Sequence, residues 1–178
     1  MNKVGLLASS LLIAAAIAAS ASASAAYSFL VTVTGQKTGK FVGPSNGKIP
    51  ALAFSYSVRS PRDPASGQAT GKRQHSPVAF TKPWDATSPL FFNSIVSNEN
   101  LTSVLFEFSQ PDDKGVSQIY QTVKLTNASV AGLTRRASAS SSAGATDLED
   151  ITLTFQNIEI THVTGGITAS DSWAAPLN

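Results

Sequence analysis

The chain of 178 residues sets 13 lysines and arginines against 11 aspartates and glutamates, a formal net charge of +2, and has no cysteine. Near-balanced charge, with no basic run longer than Lys72-Arg73 or Arg135-Arg136, excludes the electrostatic footprint of a nucleic-acid binder. Without thiols there are no disulfides, so stability has to come from a packed core or from association with neighbours.

The opening stretch places Lys3 before an Ala-rich apolar run that ends in small-residue pairs such as Ala21-Ser22-Ala23. That is the layout of a secretory signal peptide. Ser9, Ser10 and Ser20 dilute the run, and nothing basic follows until Lys37, which argues against a retained membrane anchor. Cleavage near Ala25 or Ala26 leaves about 150 residues, the size of one domain that buries around two-thirds of its unfolded surface. The expected organisation is a signal peptide over 1–26 and a single domain over 27–178.

In "YSFLVTV", Tyr27, Phe29, Val31 and Val33 share one parity and predict a first strand. Gly35, Gly39, Gly43, Pro44 and Gly47 then punctuate the chain too often for a regular element, which predicts a loop. "IPALAFSYSVRS" predicts a half-buried strand with Leu52, Phe54, Tyr56 and Val58 inward and Ala51, Ala53, Ser55 and Ser57 outward. Two prolines and two glycines between Ser60 and Gly71 predict a long, flexible loop.

"VAFTK" reads as a strand and "TSPLFFNSIV" as one short helix. Ser88 is the expected N-cap, Pro89 the first helical residue, and Phe91, Phe92, Ile95 and Val96 recur at helical spacing. "LTSVLFEFS" and "VSQIYQTVKLTNASV", joined by the turn "PDDKG", form a hairpin. Its inward sets are Val104, Phe106 and Phe108 on one strand and Ile119, Val123 and Leu125 on the other. The Ser/Ala/Gly stretch over 135–147 reads as a flexible loop inside the domain. In "ITLTFQNIEITHV", Ile151, Leu153 and Phe155 lie on one parity and Ile158 and Ile160 on the other, so a bulge or bend is expected at Gln156 and Asn157. The fold class is mainly β: a small antiparallel barrel or two-sheet sandwich with one short α-helix.

Catalytic and cofactor chemistry is missing from this pattern. His75 and His162 are the only imidazoles, and neither sits in an HxH or HExxH spacing. No GxSxG turn holds a serine nucleophile, and the glycines at 35, 39, 43 and 47 lack the Lys-Ser/Thr ending of a phosphate loop. The sequence assigns no catalytic, cofactor-binding or metal-binding residue and no cofactor. His75 is expected at a strand start, bonded to backbone or to a neighbouring subunit, and His162 at a sheet edge or interface. Trp84 and Asp85 are expected in loop packing and helix-entry capping, with the charges of 71–96 solvated or used between subunits. The triplets at Asn100 and Asn127 are formal glycosylation acceptors too short to carry weight.

The order of pieces is itself informative. "YSFLVTVTG", "AFSYSV", "GKRQHSPVAFTKPWDATSPLFFNSIV", "FEF", "YQTVKLTNASV", "EDITLTFQNIEITHVTGG" and the closing "DSW" together resemble the Hcp family, the tube proteins of bacterial type VI secretion systems. The resemblance spans about Tyr27 to Trp173. It is most specific at Gly71, at "FTK" over 80–82, at Asp85 and at the "SPLFF" helix start. It implies a small β-barrel flanked by a helix, a homohexameric ring, and rings stacked into a hollow tube with no catalytic residues. The implied partners are further copies of the chain, a spike, a sheath and effectors. Family tube proteins leave through their own apparatus, so an export signal is a departure, and it keeps two readings open: a tube subunit, or an exported Hcp-like binding or assembly module that works in the periplasm or outside the cell, independently of a contractile machine. By the same analogy, Ser60 to Gly71 projects from the ring and meets the next one.

Overall fold

The computed structural model of the chain describes residues 29–137 and 147–174; the expected signal peptide and the stretch 138–146 lie outside the described residues. In chain order the elements are β1 (Phe29–Gly35), β2 (Gly39–Lys40), β3 (Ile49–Ala51), β4 (Ala53–Ser55), β5 (Val58–Arg59), β6 (Gln74–His75), β7 (Val78–Pro83), α1 (Ser88–Val96), β8 (Leu101–Pro111), β9 (Ser117–Arg136), β10 (Leu148–His162) and β11 (Ile167–Ser172). All described pairings are antiparallel. The main ladder runs β1-β8-β9-β10-β7-β4, so the expected mainly-β class with one short helix is what the chain adopts.

β1 alternates as its sequence demands, with Phe29, Val31 and Val33 buried and Leu30, Thr32 and Thr34 half-buried. The segment 49–55 links the two ends of the ladder. Its first part, β3, pairs with β1, and its second, β4, pairs with β7, with the amide of Leu52 donating to the carbonyl of Thr81 at 2.8 Å. This bridging gives the sheet barrel character. Phe29, Phe41, Phe80, Phe91 and Phe106 are buried inside it. Phe80 stands edge-on to Phe106 and Phe91 at centroid distances of 5.4 and 5.9 Å. Each such ring contributes about 1.5 to 3 kcal/mol through burial alone.

The expected change of parity in β10 is present: Ile151, Leu153 and Phe155 are buried, then Ile158. Its neighbours change parity on the same line. β9 buries Val123 and Leu125, then Ala128 and Val130, and β8 buries Leu101, then Val104 and Phe106. Ala128 faces both Leu101 and Phe155, and Leu125 faces both Val104 and Ile158, so the switches align into one crease across the three strands. Asn127 sits on that line with a φ of 49°, and its side-chain amide donates to the Gln156 side-chain oxygen at 2.7 Å. The register of β10 against β9 runs unbroken from Phe155 to Asn157, so the feature is a bend; the register shift lies instead between Thr152 and Leu153.

Several expectations need correction. Leu52 is exposed while Ile49 and Ala51 are buried, because the strand leaves β1 for β7 at Leu52 and its parity resets there. Val58 and Ile119 are likewise exposed, being carried beyond the barrel wall on extensions of the strands. Phe41, inside the expected loop, is fully buried against Phe91 at 5.2 Å. Ser88 is the first residue of α1 and Thr87 its N-cap, without a side-chain capping bond. The expected loop over 135–147 begins later, since β9 runs to Arg136.

Candidate functional site

The span 71–96 divides into two polar clusters. In the first, β6 places His75 with its side chain only 2% exposed. One ring nitrogen, Nδ1, lies 2.7 Å from the Tyr56 hydroxyl and the other, Nε2, lies 3.1 Å from Asp171 Oδ2. A carboxylate only accepts, so in the neutral ring Nε2 carries the hydrogen and Nδ1 accepts from Tyr56. Arg73 donates from both Nε and Nη2 to Asp171, a bidentate pair. Trp173 and Phe155 close the cluster, with ring centroids 5.9 and 5.7 Å from that of His75. His75 is thus bonded to side chains of its own chain, where backbone or a neighbouring subunit was expected.

This Tyr-His-Asp chain resembles a nucleophile, a base and its orienting acid, but its electrostatics run the wrong way. Burial, followed by the Asp171 charge, pushes the Tyr56 hydroxyl above its ordinary pKa, whereas an activated nucleophile needs it lowered. The Arg73 hydrogen bonds hold Asp171 below the usual carboxylate range. Both imidazole nitrogens are committed. The adjoining hollow, about 180 Å³, is walled largely by Val58, Ile158, Ile160 and Ala169. The cluster fastens β11 and the 57–76 segment to the barrel. No local sequence pattern marks Tyr56 or Asp171 as partners of His75, which lie 19 and 96 residues from it along the chain.

The second cluster centres on Lys82, which is fully buried. Its Nζ donates to Glu149 Oε1 at 2.9 Å, Ser88 Oγ at 3.1 Å and the Pro83 carbonyl at 2.8 Å, and pairs with Asp85 Oδ1 at 3.0 Å. Arg135 reaches the other Glu149 oxygen at 3.2 Å and donates to the Ser88 carbonyl at 2.9 Å. Asp85 Oδ1 also accepts from the amide and hydroxyl of Thr87 at 2.7 and 2.6 Å. Asp85 therefore does order the helix entry, as expected, and Trp84 packs beside it with its indole N–H donating to the Leu148 carbonyl at 3.0 Å. The expectation that the charges here are solvated or shared between subunits fails for Lys82 and Asp85, which form an internal network.

His162 is exposed at the end of β10, where its Nδ1 accepts the Gly165 amide at 3.0 Å. Among the described residues no three His, Cys, Asp or Glu side chains gather in a way that would hold a metal.

What remains open is surface. On α1, Phe92 and Val96 point outward at 52% and 64% exposure, beside Trp84 at 42%. The Arg135 guanidinium lies 5.7 Å from the Trp84 ring and 5.9 Å from that of Phe92. The expected helical stripe thus splits: Phe91 faces the core and Phe92 and Val96 do not. At the far end of the sheet, Val116, Ile119, Val163 and Ile167 are exposed. Among the described residues β11 pairs only with β10, which leaves its outer edge unpaired. Exposed aromatic and aliphatic side chains with an Arg among them, plus an open strand edge, are the ingredients of a protein–protein interface.

Comparison with known proteins adds a family context. A sequence profile described as "Type VI secretion system effector, Hcp" matches residues 27–162. The chain is 35% identical over 133 residues to the major exported protein of Pseudomonas aeruginosa, a match covering 73% of this chain and 77% of that one. Its fold is similar to that in a crystal structure of Hcp protein, with a TM-score of 0.76 at 23% identity over 82% of this chain and 98% of the other. It is also similar to Hcp1 of E. coli EAEC 042, with a TM-score of 0.74 at 25% identity over 83% and 99% of the two chains. Secreted protein Hcp3 of Pseudomonas aeruginosa gives a TM-score of 0.69 at 24% identity over 83% and 98%.

Proposed function

The chain belongs to the Hcp family of type VI secretion systems, and on that premise we propose that it is an exported structural subunit that works by assembling with copies of itself into hexameric rings that stack into a tube. The observation that carries this reading is the family match over residues 27–162 on a chain whose one triad-like polar cluster among the described residues is tied up internally. The open edge of β11 and the apolar face of α1 supply surfaces that a closed ring buries between neighbours. Export is supported by the name of the Pseudomonas relative and by the signal-like segment. The family profile starts at residue 27, directly after the expected cleavage region, which supports a mature domain over 27–178. The partners this reading brings are a spike, a sheath and effectors, with the segment from Ser60 to Gly71 meeting the next ring.

Mass photometry of the mature chain tests it. Ring formation gives a dominant species of six protomers at micromolar concentration, and a strict monomer under those conditions contradicts the reading. Removing residues 61–69 leaves the six-protomer species intact and abolishes longer stacks; loss of folding on that deletion contradicts the placement of the segment outside the barrel.

A further inference from the structure

The stretch from Ser57 to Ser76 is an arm with its own two-stranded ladder, in which Val58 faces His75 and Arg59 faces Gln74. Among the described residues no ladder joins that pair to the main sheet. The arm is internally ordered, contrary to the flexible loop expected from its composition. Asp63 Oδ1 accepts the amides of Ala65 and Ser66 at 3.0 and 2.7 Å, and Arg62 bridges to Ala69.

Its attachment to the barrel is interrupted. β4 and β7 are in register at Ser55 and Ala79, and the arm resumes at Ser57 and Ser76, where the Ser76 amide donates to the Ser57 carbonyl at 2.8 Å, so two steps on one side oppose three on the other. Pro77 lies in that gap and has no amide hydrogen to donate across it. A two-stranded ribbon continued past such a break is free to swing unless side chains fix its angle. Side chains do cross the break. Arg73 and His75, on the arm, both bond Asp171 on β11, and Tyr56, at the break itself, bonds His75. Trp173 then covers the His75 ring.

We infer that Asp171 is the positioning residue of the arm: by binding Arg73 and His75 together it fixes the angle at which residues 58–74 leave the barrel. The clasp acts through geometry and is not itself a contact surface. Its consequence for assembly rests on the reading that the arm meets a neighbouring ring.

The absence of native cysteine allows a direct test. Spin labels on S66C at the arm's turn and K124C on the exposed face of β9 report the arm's angle within one protomer, with labelled chains diluted into unlabelled mature protein. The unmodified clasp gives one narrow distance distribution. D171N broadens it at least twofold, and the amides of Ser76 and Trp173 exchange hydrogen about ten- to a hundredfold faster, the loss expected for a charge-assisted bidentate pair. Amides of Val123 and Leu125 in the barrel keep their protection, and D171E restores most of the narrow distribution. R73Q is the milder variant if D171N expresses poorly, and it broadens the distribution in the same direction. An unchanged distribution in D171N or R73Q overturns the inference. A broadened distribution with undiminished ring stacking upholds the clasp and instead sinks the assignment of the arm to ring–ring contact.

Discussion

Replacing Lys82 by methionine isolates the cost of a broken internal charge network. Lys82 and Glu149 are each fully buried and their side chains meet at 2.9 Å. K82M keeps the side-chain volume and removes the charge, leaving Glu149 with Arg135 alone at 3.2 Å on a side chain that is 36% exposed. It also strips Asp85 of its cation, though Asp85 keeps Thr87. Removing one partner of a buried pair costs about 3 to 5 kcal/mol, because the other charge stays buried. For a domain of this size each kcal/mol moves Tm by about 2 to 4 °C, so K82M lowers Tm by about 10 °C. Thermal unfolding followed by far-ultraviolet circular dichroism at pH 7, at matched protein concentration, measures it. The double variant K82M/E149M removes both charges and recovers at least half of the loss. A K82M shift below about 3 °C, or a double variant no better than the single one, refutes the argument that this network is a closed internal unit.

Glu99 supplies a pH dependence. Burial pushes its pKa up, but hydrogen bonds from Thr38, Lys37 and Ser94 outweigh that and hold the carboxyl below its ordinary value. A lowered folded pKa contributes stability that is complete above the ordinary carboxyl range and is lost as pH falls through the folded value. E99Q is therefore less stable at pH 7 and loses less of its remaining stability below about pH 4, as denaturant midpoints at several pH values will show. At the crease, N127G preserves stability, whereas N127V forces a β-branched residue to a φ of 49° and costs about 1 to 3 kcal/mol in the same assay. On α1, F92S/V96S alters solvent-facing positions, so Tm of the dissociated protomer moves by no more than about 2 °C while self-association measured by sedimentation weakens at least tenfold.

Period-2 alternation in β1, β7, β8 and β9 located the sheet because each strand has one buried face. The parity switch of β10 was legible for the same reason, yet its extension across β8 and β9 was not, since alignment of three switches depends on register that no single strand encodes. Leu52 was misplaced because a strand that changes partners halfway restarts its alternation. Phe92 and Val96 look like core residues in a helical stripe, and only the position of α1 against the sheet separates them from Phe91. Lys82 is the sharper case. A lysine between Thr81 and Pro83 reads as solvated, and its burial depends on Glu149, 67 residues away. The His75 clasp depends similarly on Asp171, 96 residues away. Local pattern carries the elements; long-range polar partners are visible only once the chain is folded.

Electron microscopy of the purified mature chain addresses the central claim most directly, namely that this protein acts by joining copies of itself. The account predicts six-fold ring projections with a central opening, with the outer edge of β11 or the Phe92–Val96 face of α1 buried between neighbours. Uniform single protomers across the micromolar range would contradict it.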